Sequence, residues 1–74
     1  MVNEFYKWFY GLSVIENRNA KKGILDFFDI PTSTFYTWLK QDYKFTKMQI
    51  IALNQFSMQF NNTKIFADDT QTGN

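Results

Sequence analysis

The chain has 74 residues, with eight basic against seven acidic side chains and neither cysteine nor histidine. That length leaves room for one domain with a small core. The missing residue types exclude disulfide staples and the usual zinc sites, so no metal and no cofactor is expected.

The fold must therefore hold by packing alone. Aromatic residues make up 20% of the chain, and each large ring buries on the order of 150–250 Å², which suits a core without a staple. Residues 1–8 show no basic stretch followed by an apolar run, and no segment approaches the roughly 18 apolar residues of a membrane span. A cytoplasmic protein without a membrane partner is expected. Catalysis would need paired carboxylates or an activated lysine or serine. The acids stand singly apart from Asp68-Asp69, and three glycines cannot build a phosphate loop. Neither an enzyme nor a small-molecule substrate is expected.

The first helix is predicted over residues 3–12. Phe5, Trp8, Phe9 and Leu12 repeat at the spacing of a buried stripe, Asn3 can cap the start, and Glu4 suits the first turn. Residues 13–19 are polar apart from Val14 and Ile15. They form either a loop or, with Ser13 as cap and Glu16 three residues on, a capping box opening a short turn. A second helix follows from about Ala20 to Phe28. Pro31 bars its continuation and biases Ile30 toward extended geometry. Thr32 or Ser33 then caps a third helix ending near Gln41.

Residues 43–45 make a connector with Phe45 pointing inward, and Thr46 caps a fourth helix from Lys47 to about Phe60. Ile50, Leu53, Phe56 and Phe60 line one side of it, and Met48, Ile51 and Ala52 broaden the stripe. Such breadth suits burial on more than one side or a dimer, with Phe56, Phe60 and Phe66 as the candidate homodimer contact. Residues 63–66 suggest a short strand or a docked tail, and the polar residues 67–74 have nothing to bury. The expected fold is all-α: a compact domain of four helices, or five, over residues 1–62. A largely disordered tail is expected over residues 63–74.

Residues 21–40 read as helix, tight turn and helix, the spacing of a helix-turn-helix. Ile24 and Phe28 share one face of the first motif helix, Phe35 and Trp38 share one face of the second, and Ile30 can plug the corner. Trp38 is the expected anchor between the two, and Phe27, next to Phe28, cannot share its orientation. Thr32, Ser33, Tyr36 and Thr37 fall on the other face of the second motif helix, where hydroxyls can meet base edges. Lys21, Lys22, Lys40, Lys44 and Lys47 flank the motif at places suited to phosphates. Residues 21–47 carry five lysines against three aspartates, whereas the remainder holds three basic and four acidic residues. The positive excess thus sits on the motif, as a DNA footprint requires, although it is small.

The order helix, helix-turn-helix, capped helix over residues 3–60 resembles the small phage repressor and Cro class of DNA-binding domains. Ile24, Phe28, Ile30, Phe35 and Trp38 match that family's apolar positions. Leu25 stands where the family has a small residue, and Asp29 stands where a glycine opens the turn. Asp tolerates left-handed backbone better than most residues. The resemblance implies sequence-specific binding of double-stranded DNA by a dimeric regulator of phage or mobile-element type, with Thr32, Ser33, Tyr36 and Thr37 toward the bases. The competing expectation is a small helical protein-interaction module, such as a phage-encoded inhibitor or antirepressor. Near-neutral charge and abundant aromatics favour that alternative.

Overall fold

The structure, a computed structural model, describes residues 3–66. Four helices make it up: α1 (Glu4–Tyr10), α2 (Val14–Phe28), α3 (Thr32–Trp38) and α4 (Lys47–Asn61). The described residues are all-α, without a strand and without a fifth helix. They fall into two compact units, Met1–Tyr43 and Lys44–Asn74. The expected boundary between residues 62 and 63 lies inside the second unit, and residues 67–74 of the expected tail lie outside the described residues.

In the first unit, Asn3 starts α1 as expected. Its side-chain oxygen accepts from the Phe5 and Tyr6 N–H groups at 2.8 and 3.2 Å. Helix α1 stops at Tyr10, two residues short of expectation, so Leu12 lies in the connector, half-buried. Gly11 closes the helix with its N–H on the Lys7 carbonyl.

The largest departure from expectation is α2, which begins at Val14 rather than Ala20. Ser13 and Glu16 do form the capping box, at 3.2 and 3.4 Å, but it opens a 15-residue helix instead of an isolated turn. Asn17 explains why the polar stretch is helical. It lies on the same stripe as the buried Ala20 and Ile24, and its side-chain N–H donates to the Phe9 carbonyl at 3.0 Å. A residue that looked like loop thus gives the Phe9 carbonyl, which also accepts from the Leu12 N–H at 3.3 Å, a second partner at the end of α1.

Asp29 ends α2 in left-handed geometry, φ 53 and ψ 51, and the Ile30 N–H returns to the Leu25 carbonyl at 3.2 Å. Leu25 is only half-buried, while Ala20 and Ile24 take the fully buried places, so its bulk is not forced into the core. Helix α3 is shorter than expected, ending at Trp38. Its N-cap is Pro31, without a side-chain cap bond, rather than Thr32 or Ser33. The Thr34 and Phe35 N–H groups bond instead to the Pro31 carbonyl.

Phe5, fully buried, is the hub of the first unit. Phe35 meets it edge-on at 5.7 Å and Trp38 at 6.3 Å, and Phe9 packs on Phe35 at 5.1 Å. Phe28, half-buried, meets Trp38 edge-on at 5.3 Å. Such pairs add roughly 0.5–1.5 kcal/mol each beyond the area they bury. Asn3 closes this unit from its polar side. Its amide donates to the Trp38 and Lys40 carbonyls at 2.8 and 2.7 Å, tying the start of α1 to the end of α3.

In the second unit, Thr46 caps α4 and Gln49 completes a capping box. Leu53 is fully buried, but Ile50, Phe56 and Phe60 are only half-buried. The core face also contains Asn54 and Ser57, both buried. The Asn54 side-chain oxygen accepts from the Ile65 and Phe66 N–H groups at 2.9 Å, and its amide donates to the Phe66 carbonyl at 3.1 Å. Left-handed Asn62, φ 60, reverses the chain after α4. Residues 63–66 therefore dock rather than form a strand, with Phe66 edge-on to Phe45 at 5.2 Å. Phe66, expected in a dimer contact, is 7% exposed and belongs to its own unit's core.

Asn3 has two separable roles. Asn3→Ser keeps a capping oxygen but loses the amide bridge from α1 to the Trp38 and Lys40 carbonyls. It should cost about 1–3 kcal/mol, and Asn3→Ala about 1 kcal/mol more through loss of the cap. Urea unfolding measures both. A serine variant as stable as the parent would remove the bridge from the account of this fold.

Candidate functional site

Helix α3 presents two chemically distinct sides. Phe35 and Trp38 face the core, and Thr32, Ser33, Tyr36 and Thr37 are all exposed, as their spacing predicts. At 1.5 Å per residue the seven residues of α3 span roughly 10 Å, comparable to the width of a major groove.

The hydroxyls on this side are not equivalent. The Thr37 hydroxyl donates to the Ser33 carbonyl one turn back, at 3.0 Å. Its proton is thereby used, and what it offers outward is a lone pair and a methyl group. Thr32 and Ser33 are free of the capping role expected of them. Tyr36 is 47% exposed, with its ring edge-on to Phe35 at 5.6 Å. That contact anchors the base of the ring while the phenol reaches solvent.

Lys21 comes from α2 to meet Tyr36. Its ammonium donates to the phenol oxygen at 3.0 Å and lies 4.8 Å from the ring centroid. The structure thus brings together two residues that the sequence placed in separate classes, one for phosphates and one for bases. They stand fifteen positions apart on different helices, and no periodicity signals such a pair. Lys22 follows Lys21 by about 100° around α2 and projects away from the stripe of Asn17, Ala20 and Ile24. Lys40 is exposed just beyond α3, and its own carbonyl is held by Asn3 and by the Tyr43 N–H. Lys44 and Lys47 are exposed in the second unit, Lys44 in the connector and Lys47 at the first position of α4.

Other features bound what the site can do. Among the described residues no group of three acidic side chains could hold a metal ion. No helix among them is long and apolar enough to cross a membrane. Phe27 is 52% exposed beside Phe28, at 4.9 Å edge-on, as its position next to a core residue predicts. Compared with protein-family models, curated proteins and solved structures, the chain matches none.

The turn before α3 is held in a conformation that most side chains resist. Asp29→Gly should be neutral or stabilise by up to about 1 kcal/mol, and Asp29→Ala should destabilise by about 1 kcal/mol. Thermal melting of the two variants checks this. An alanine variant more stable than the glycine variant would contradict the left-handed assignment.

Proposed function

We propose that α2, the turn at Asp29 and α3 form a helix-turn-helix that binds double-stranded DNA, in a cytoplasmic regulator of phage or mobile-element type. The observation that carries this reading is the two-sidedness of α3. Its apolar side is spent on the core, and its outer side holds only hydroxyl-bearing groups, with the Lys21 ammonium beside them. Thr32, Ser33 and Thr37 face base edges, while Lys21, beside Tyr36, and Lys40 meet the phosphates beside the groove. Lys22 serves a further phosphate from the first unit, and Lys44 and Lys47 serve phosphates from the second. This is a binding role rather than an enzymatic one.

Two copies bind together through α4. Only Lys47, at its first position, is charged among its 15 residues. Met48, Ile51 and Met58 are exposed at 76%, 40% and 41% and share one side of the helix. In an antiparallel pair Ile51 of one copy faces Met58 of the other, and no like charges meet along the seam. Phe56 and Phe60, stacked at 5.7 Å and half-buried, lie toward the buried side of the helix, near Leu53, and not on this seam. A second reading, a protein-interaction module, is favoured by Val14, Ile15 and Phe27, exposed at 77%, 71% and 52%.

DNA binding should weaken steeply as salt rises, with a slope of about −0.9 per phosphate met. Single alanine substitutions of the five lysines should each lower that slope by about one and leave the preferred sequence unchanged. Retention of mixed genomic fragments across a salt series, followed by sequencing, reads both. No retention at low salt would favour the protein-interaction module.

The dimer is tested separately by sedimentation. Ile51→Glu and Met58→Glu should each convert a dimer into a monomer at high micromolar concentration. A parent chain that is monomeric there, both alone and on DNA, sinks the α4 seam and leaves the helix-turn-helix reading intact.

A further inference from the structure

We infer that Lys21 and Tyr36 act as a single clamp for one backbone phosphate, with Tyr36 a phosphate contact rather than a base reader. This inference rests on the DNA-binding reading of α3 and deepens it.

The direction of their hydrogen bond decides the chemistry. An ammonium has three donors and no acceptor, so the 3.0 Å contact must run from Lys21 Nζ to the phenol oxygen. The phenol's own proton therefore points away from Lys21. With Nζ held 4.8 Å from the ring centroid, the ammonium is placed from two directions, by the ring's π face and by its oxygen. The pair turns outward an O–H and the remaining N–H groups, side by side. A ligand that satisfies such a set is an acceptor bearing negative charge. The two free oxygens of a phosphodiester meet that description. An amino group on a base edge does not.

Placement favours the same choice. Lys21 stems from α2, half-buried, and comes to the side of α3 rather than to its tip. Bonds to a charged acceptor are also about twice as strong as neutral ones. Tyr36 contributes by orienting the ammonium and by adding one donor. It is a positioning residue as much as a contact.

The test uses the full chain with Lys21→Met, Tyr36→Phe and the double variant, binding mixed-sequence duplex DNA across a salt series. All three should melt like the parent, because both side chains lie outside the core. Lys21→Met should weaken binding about tenfold and lower the salt slope by about one. Tyr36→Phe should weaken it severalfold with the slope unchanged, and the double variant should be weaker than Lys21→Met by clearly less than the Tyr36→Phe loss. The sequences retained should be the same throughout. The clamp is overturned if the two losses multiply, if Tyr36→Phe changes the retained sequences, or if Lys21→Met leaves the slope untouched. In those cases a slope that still responds to Lys40→Ala keeps the DNA reading. A parent chain that retains no duplex at low salt rejects the DNA reading and the clamp with it.

Discussion

One asparagine holds the first unit together. Asn3 spends its oxygen on the free N–H groups opening α1 and its nitrogen on carbonyls at the end of α3. These are opposite ends of two helix dipoles, and a side-chain amide carries both polarities within one planar group. Because Asn3 is 8% exposed, water is a poor substitute for these bonds. Phe5, two residues on, is set by this cap into the space between Phe9, Phe35 and Trp38. The aromatic hub and the polar bridge are thus consequences of the same few residues. With the end of α3 tied by Asn3 and its start set by left-handed Asp29, the outer side of a seven-residue helix is held in place.

The second unit repeats the device in a different setting. Asn54 receives two backbone N–H groups from the segment 63–66 and returns one bond to the Phe66 carbonyl. It does for that segment what a neighbouring strand would do, and no strand forms. A leucine at this place would add apolar contact but leave those backbone groups buried without partners. The cost of a polar residue on the core face of α4 is thereby offset. The exposed residues of α4 are unusual for the opposite reason: beyond Lys47 none is charged, and Met48, Ile51 and Met58 stand among them.

Much of the candidate site is legible in the sequence. The exposure of Ser33, Tyr36 and Thr37 follows from the burial of Phe35 and Trp38, since a helix that buries one side turns the other outward. Other parts were not legible. Thr32 and Ser33 have the chemistry of caps, yet Pro31 takes the N-cap position, which frees both hydroxyls. The pairing of Lys21 with Tyr36 depends on how α2 and α3 approach, which neither residue's local sequence specifies. Phe66 was grouped with Phe56 and Phe60 as a dimer contact on the breadth of the apolar surface of α4. Asn54, twelve residues earlier, turns it inward.

Local rules were enough for the helical class, the caps at Asn3 and Thr46, the break at Pro31 and the inward placement of Phe5, Phe9, Phe35, Trp38 and Leu53. Each depends on contacts within a few positions along the chain or on a repeat of 3.6 residues. The tertiary structure alone decided that Asn17 continues α2, that α3 stops at Trp38, and that Asn3 and Asn54 each close a unit from inside. Their amides can bond to water, to their own turn or to a distant carbonyl with similar intrinsic strength. Only the packing of the rings and aliphatic groups around them removes the water and selects the distant partner.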